Sequence, residues 1–211
     1  MNLIKINLQE NLTRLIAPAS TVIKKGGVVI FPTETVYGIG ADAFNETAIK
    51  RIFEIKGRPE NNPLSIHIAS KEAIKEIAVE VPDFIYKIID NFLPGPLTIV
   101  LKKNPAIPAV VTAGKNTVGI RFPAHTVALE FIKQSGCYIA APSANFSEQK
   151  SPQSIAEIPK ELLEKTDFVL DAGLTGSGIS STVVDFTVSP PKILRQGKIT
   201  LEELKKFIPF I

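Results

Sequence analysis

Residues 27–69, GVVIFPTETVYGIGADAFNETAIKRIFEIKGRPENNPLSIHIA, decide how this chain folds. Val28 to Phe31 is a short β-branched and aromatic run, which predicts a buried strand. Pro32 ends it, and Thr33, Glu34, Thr35 and Tyr37 place polar groups at its carboxyl end. Asn45 suits an N-cap, and Glu46 suits the positive end of the helix that follows. Ile49, Ile52, Phe53 and Lys56 fall at i, i+3, i+4 and i+7, which puts them on one helix face. Gly57 predicts a left-handed stop, and Pro59 forbids continuation. Leu64, Ile66 and Ile68 alternate with Ser65 and His67, so a second strand carries His67 on its polar face. The order is strand, loop, helix, strand, and both a βαβ unit and an antiparallel return fit it. Sites of open α/β sheets lie beyond the strands' carboxyl ends, where Thr33, Lys56, Arg58 and His67 would meet.

The same reading extends outward. Residues 1–10 alternate weakly and suit an edge strand, and Ala17 to Lys25 reads as a helix closed by Gly26-Gly27. Ser70 caps a short helix from Lys71 to Val79, and Pro82 opens another with Phe84, Ile85, Ile88, Ile89 and Phe92 at helical spacing. Leu97 to Leu101 is a strand, residues 104–117 a loop, and Val118 to Phe122 a strand whose polar face carries Arg121. Thr126 to Gln134 is a helix and Tyr138 to Ala141 a strand. Residues 147–154 are polar and read as a mobile loop, and Glu157 to Lys165 is weakly helical. Phe168 to Leu170, Thr182 to Phe186 and Lys192 to Leu194 are strands, and Thr200-Leu-Glu-Glu is a capping box for a last helix to Ile208. Alternating strands and helices predict an α/β class: a twisted, mostly parallel or mixed open sheet flanked by helices.

A length of 211 residues suits one domain, residues 1–211, with a full core. A net charge of +3 is too small to argue nucleic-acid binding by itself. The single cysteine, Cys137, excludes an internal disulfide and a Cys-cluster zinc site, and its apolar flanks read as core. Neither a signal-peptide pattern nor an apolar run of roughly 18 residues is present, so the expectation is a cytoplasmic protein with no membrane contact.

Polar residues recur just past predicted strand ends: Thr33, Arg121, Ser143 with Asn145, Ser181 and Arg195. Unpaired buried polar groups cost about 1–3 kcal/mol each, so a set that faces one crevice implies a polar ligand. Taken singly, each Ser, Thr or Asn is equally a turn or cap residue. Arg121 is harder to dismiss, because an arginine on an apolar strand needs an anionic partner. Gly38-Ile-Gly40-Ala-Asp-Ala43 fits a loose dinucleotide pattern, but its glycines start too far past the strand and the following strand lacks the ribose-binding acid. Gly114-Lys115 lacks the rest of a P-loop, and Gly176-Ser177-Gly178 reads as either an anion nest or a turn.

The runs FPTETVYGIGADAF, KGRPENNPLSIHI, VGIRFPAH, APSANFS, SSTVVDF and RQG occur in this order. Together they resemble the YrdC/TsaC family of threonylcarbamoyl-AMP synthases, over roughly residues 10–200. The resemblance implies a YrdC-like fold around a basic cavity. It implies condensation of L-threonine, bicarbonate and ATP into threonylcarbamoyl-adenylate and pyrophosphate, a nucleotidyl transfer serving threonylcarbamoyladenosine formation in tRNA. A threonylcarbamoyl-transfer complex would complete that modification, which leaves room for a weak direct contact with tRNA. By the same resemblance, Lys56 and Arg58 would hold ATP phosphates, and Ser143 and Asn145 would lie at the α-phosphate and the carbamate. These four form the expected catalytic set. Thr33, His67, Arg121, Ser143 and Ser181 would hold L-threonine. Thr117, the backbone at Ala141, Ser151 and Arg195 would line the nucleotide. Mg²⁺ would arrive with ATP, with no protein ligand expected. The long form of the family continues into a second domain, whereas this sequence stops at Ile211, so the expectation is the single-domain form. Loop 147–154 or the chain's end would then cover the site. The alternative is an RNA-binding module of the same fold without catalysis. The carbamoyl-transfer proteins of hydrogenase maturation share the fold but carry an acylphosphatase-like domain and cysteine zinc motifs that this sequence lacks.

Overall fold

A computed structural model describes residues 2–176 and 178–208. Its strands are β1 (Asn2–Lys5), β2 (Val29–Pro32), β3 (Tyr37–Asp42), β4 (Ser65–His67), β5 (Leu97–Lys102), β6 (Thr117–Arg121), β7 (Ile139–Ala141), β8 (Phe168–Asp171), β9 (Thr182–Asp185) and β10 (Lys192–Arg195). Its helices are α1 (Leu12–Lys24), α2 (Glu46–Lys56), α3 (Ile74–Ile77), α4 (Asp83–Phe92), α5 (Ala109–Thr112), α6 (Thr126–Ser135), α7 (Lys160–Lys165) and α8 (Leu201–Lys205). The strands form one mixed sheet in the order β1-β8-β2-β3-β7-β4-β6-β5-β9-β10.

The deciding stretch departs from its sequence reading at one place. Tyr37–Asp42 is a strand, paired antiparallel with β2, so the chain reads strand, turn, strand, helix, strand. The glycine-spaced run looked like a loop because Gly38 and Gly40 suppress its β signal. The structure gives those glycines a packing reason. A Cβ on Gly40 would lie 2.5 Å from Ile139 Cγ2 and 2.9 Å from Phe31, and one on Gly38 would lie 3.3 Å from Phe31. The missing side chains make the slot that the Phe31 ring fills. β3 and β4 each pair antiparallel with β7 between them, so they run parallel to each other, joined by α2. The antiparallel alternative holds instead for β2 relative to β4.

Helix α2 ends as its sequence predicts. Asn45 accepts from the Ala48 N–H at 3.0 Å, and Gly57 closes the helix at φ 56°. Other boundaries shift. Helix α1 starts at Leu12, because Asn11 caps it by accepting from Arg14 N at 3.0 Å. Pro18 lies within α1 at the loss of one ladder bond, and burial of Ile16, Ala19 and Ile23 offsets that. The segment read as Lys71–Val79 holds only the uncapped turn α3, and the loop 104–117 contains α5. Loop 147–154 is tied down by backbone bonds, among them Tyr37 N to Pro152 O at 2.9 Å and Thr175 N to Gln153 O at 2.8 Å. The capping box of α8 forms as read. The chain end beyond residue 208 and the Ser177 of the glycine nest lie outside the described residues.

Two helical layers cover the sheet unequally. Val29 and Phe31 pack with α1 and α6 through Ile16, Ile23, Val127 and Phe131. Val28 and Ile30 point to the opposite face, into the main core with Ile49, Ile52 and Phe53 of α2 and Ile85, Ile88 and Ile89 of α4. That core also takes Ile66, Ile99, Val118, Ile120 and Val184, one face of β4, β5, β6 and β9. Among the described residues, neither α1 nor α6 packs over the other face of these four strands.

Adding a methyl at Gly40 therefore forces Phe31 or Ile139 to move. Gly40→Ala is expected to lower stability by about 1–3 kcal/mol, measured by urea unfolding, and a change within error would show that the slot tolerates more than its geometry suggests.

Candidate active site

The uncovered sheet face is the floor of a cavity of about 500 Å³. Side chains on one face of each strand point into it: Ser65 and His67 from β4, Thr98 and Val100 from β5, Thr117 and Arg121 from β6, and Val183 and Asp185 from β9. Gly119 lies in the middle of the floor, where a Cβ would come within 3.1 Å of Ser65 Oγ. The walls come from the β2–β3 turn (Thr33, Thr35, Val36), the segment after α2 (Arg58, Asn62, Pro63), Lys115, the turn after β7 (Pro142, Ser143), Ser180 and Ser181, and β10 (Leu194, Arg195). The site thus lies on the sheet's face rather than beyond the strand ends, which corrects the expected position. The reason is the missing helix cover, which no local sequence pattern reports.

Most residues singled out in the sequence meet here. Thr33, Arg58, His67, Thr117, Arg121, Ala141, Ser143, Ser181 and Arg195 all line the cavity. Lys56, Asn145 and Ser151 do not. Lys56 is buried behind the wall, its Nζ donating to Ser143 O at 2.6 Å and to Asn145 O. Burial, with the Arg58 charge nearby, pushes its pKa down to about 7. Asn145 donates to Phe146 O and Gln149 O, and its buried Oδ1 has no partner. Ser151 Oγ lies 3.4 Å from Ser180 Oγ and so stands one residue behind the lining. Asn62, Thr98 and Asp185 line the cavity without having been singled out, and so do Thr35, Ser65 and Lys115, which the sequence reading named without a role in the site. Thr98 is the one with a legible signal, a hydroxyl inside the apolar run of β5. Lys115 was set aside with the false P-loop.

The electrostatics are those of an anion site. Among the described residues, Arg58 donates only to carbonyls, Asn62 O and Pro63 O, each at 3.0 Å. Arg195 donates to Ser181 O at 3.0 and 3.2 Å and to Ser181 Oγ at 3.1 Å. Ser181 Oγ and Thr98 Oγ1 are 2.8 Å apart. Arg121 is buried and pairs with Glu34, Nη2 to Oε1 at 2.6 Å. Burial lowers the pKa of each guanidinium, and the charges reinforce one another in a line: Arg195 lowers Arg58, and Arg121 lowers Arg195. Neutral acceptors hold two of these cations in place without discharging them, so the cavity has positive charge to offer a ligand.

The β2–β3 turn is held by its own hydroxyls. Thr33 Oγ1 donates to Val36 O at 2.7 Å and accepts from the N–H groups of Thr35 and Val36 at 3.2 Å. Arg121 Nη2 also donates to Thr35 Oγ1 at 3.2 Å, which leaves that hydroxyl's hydrogen for Thr33 Oγ1, 2.9 Å away. His67 stacks edge-on to Phe31 with centroids 5.8 Å apart. Burial, and then the Arg121 charge, push its pKa down to about 3, so it is neutral at physiological pH.

A protein-family model described as "Telomere recombination" (Sua5_yciO_yrdC) matches residues 21–197. A Pyrococcus abyssi protein named threonylcarbamoyl-AMP synthase is 47% identical over 96% of this chain and 60% of its own length. A Methanocaldococcus jannaschii protein named putative threonylcarbamoyl-AMP synthase is 41% identical over 87% of this chain and 86% of its own length. A solved structure described as P. abyssi Sua5 complexed with L-threonine superposes with a TM-score of 0.97 at 45% identity, covering 100% of this chain and 62% of that one. The chain thus spans only 49–60% of the length of the three curated relatives that head the comparison.

Neutral His67 carries a pH signature. Its folded pKa of about 3 lies below the unfolded value of 6.5, so the unfolded chain binds the proton first and stability falls as pH drops from 6.5 towards 3. Between about pH 7 and pH 4.5, His67→Asn should lose roughly 2–3 kcal/mol less than the native chain. Urea unfolding at both pH values tests this, and parallel losses would mean that His67 titrates normally.

Proposed function

The chain belongs to the Sua5/YciO/YrdC family, and on that premise we propose that it is an L-threonylcarbamoyladenylate synthase, with residues 1–211 acting as one domain. The observation that carries the reading is the line of three guanidiniums that line the 500 Å³ cavity, Arg121 from its floor and Arg58 and Arg195 from its walls. A triphosphate and an amino-acid carboxylate are anions of the size and charge that such a wall accommodates, and small-molecule sites run about 300–1,000 Å³.

In the proposed reaction, the amine of L-threonine adds to bicarbonate with loss of water, giving a carbamate. A carbamate oxygen attacks the α-phosphorus of ATP. The bond from that phosphorus to the bridging oxygen breaks, and pyrophosphate leaves. Two anions must approach each other, so catalysis rests on charge stabilisation and positioning. Arg58 and Arg195 would hold the phosphates, and Arg121 the threonine carboxylate, whose two oxygens suit a planar fork. Ser143 would lie at the reacting centre. ATP is taken as its magnesium complex, the ion carried by the phosphates. Lys56 enters with an altered role: bound to the carbonyls of Ser143 and Asn145, it positions their turn, and the phosphate contact passes to Arg58.

The arginines face a recess rather than an outward surface, which favours a small anionic ligand over the RNA-binding alternative. The adenylate product would pass to a threonylcarbamoyl-transfer complex, with a weak tRNA contact as a secondary proposal and the cytoplasm as the proposed compartment. Among the described residues, no helix is long and apolar enough to cross a membrane.

The test is pyrophosphate release from MgATP and bicarbonate, with and without L-threonine. Threonine-dependent release with a new adenylate in the mass spectrum is expected, and threonine-independent release would overturn the proposal. Arg58→Ala should lower kcat/KM for ATP by a factor equivalent to about 2–4 kcal/mol while leaving threonine binding near its native value. Equal losses for both substrates would remove Arg58 from the phosphate site.

A further inference from the structure

We propose that Glu34 is a resident counter-ion that shares Arg121 with the incoming amino-acid carboxylate, and thereby sets how tightly the amino acid binds. The proposal rests on the reading of Arg121 as the carboxylate anchor.

The observation is an ion pair made only by half. Guanidinium and carboxylate commonly meet through two parallel hydrogen bonds. Here a single bond joins Arg121 Nη2 to Glu34 Oε1 at 2.6 Å. The second hydrogen bond of Nη2 goes to Thr35 Oγ1. Glu34 Oε2 and Arg121 Nε are both buried and have no partner among the described residues. His125, whose Nδ1 is likewise buried without a partner, lies within the field of Glu34. A pair selected only to neutralise a buried arginine has every reason to use both oxygens. This one leaves donor capacity on the fork, in a residue that lines the cavity.

The turn keeps Glu34 in this position. Thr33 closes it through Val36 O, and the Thr35 carbonyl accepts from Thr175 Oγ1 at 3.1 Å and Gly178 N at 3.0 Å. A ligand carboxylate on the open side of Arg121 therefore meets a second carboxylate on the same guanidinium. Repulsion between them weakens binding, and it also makes binding depend on the ligand's remaining contacts, which is how a shared cation favours one amino acid over a bare carboxylate. If Glu34 only held the turn, its loss would loosen Arg121 and weaken binding. The two roles predict opposite signs.

The experiment is calorimetric titration of the full chain with L-threonine and with L-threoninamide, for the native protein, Glu34→Gln and Glu34→Asp. Gln keeps the acceptor for Nη2 and removes the charge. Glu34→Gln is expected to bind L-threonine about ten-fold tighter, with no change for the amide, and Glu34→Asp is expected to stay near the native affinity. Equal or weaker binding of L-threonine by folded Glu34→Gln overturns the proposal, as does equal tightening by Glu34→Asp. Glu34→Ala serves if the Gln variant does not fold. Failure of both to fold means that Glu34 holds the turn, and also overturns it. Native protein that binds ATP but not L-threonine would instead overturn the reading of Arg121, and the counter-ion role with it.

Discussion

Arg121 stands at the end of β6 with its side chain only 5% exposed, and a guanidinium so far from water needs charge and acceptors supplied by the protein. The β2–β3 hairpin supplies them. Its turn delivers Glu34 and Thr35 to Arg121, and the hairpin forms because Gly38 and Gly40 let Phe31 pack across it. Phe31 in turn contacts His67, the register partner of Arg121 on β4. Fold and site are therefore joined through one chain of contacts: glycine slot, aromatic ring, imidazole, guanidinium. His67 is neutral within that chain, because burial disfavours its charged form and the Arg121 charge beside it disfavours that form further.

The cavity depends on an asymmetry in the sheet. On β2 both faces are covered, by α2 on one side and by α1 with α6 on the other. On β4, β5, β6 and β9 only one face is covered. Alternation then divides those strands: Ile66, Ile99, Ile120 and Val184 enter the core, while His67, Thr98, Arg121 and Val183 face the cavity. A half-covered sheet ordinarily presents that second face to bulk water. Here the β2–β3 turn, the segment after α2 and β10 rise around it and make a recess, so its polar groups are partly desolvated, and charge is stronger there than on an open surface.

Much of this was legible in the sequence, and the failures have physical causes. Helix α2, with its Asn45 cap and Gly57 stop, was readable because caps and apolar period agree at every position. The alternation that placed His67 and Arg121 on polar faces was equally direct. β3 was missed because its two glycines serve the packing of a residue on the neighbouring strand, a requirement that is not local. The start of α1 was misplaced because Pro18 argues against a helix that tertiary burial nonetheless sustains. The position of the site on the sheet's face followed from which helices cover which strands, and that is fixed only by topology. The partner of Arg121 could be foreseen in kind, as an anion, but its identity as Glu34 depends on a turn closing between two strands that the sequence did not show to be paired.

Lys56 and Arg58 illustrate how a single backbone angle divides labour between neighbours. Lys56 shares the helix face of Ile49, Ile52 and Phe53, so its side chain runs inward with theirs. It ends against the carbonyls of Ser143 and Asn145, where its depressed pKa follows from burial among neutral acceptors. Either protonation state can keep both bonds, since a neutral amine still has two N–H donors. Gly57 then turns the chain at φ 56°, a conformation that costs a side-chain-bearing residue about 1 kcal/mol. That turn carries Arg58 off the helix face and into the cavity wall, where carbonyls fix its fork without neutralising it. Two cations close in sequence thus do different things. One braces the turn behind the wall from within the core, and the other brings its full charge to whatever the cavity holds.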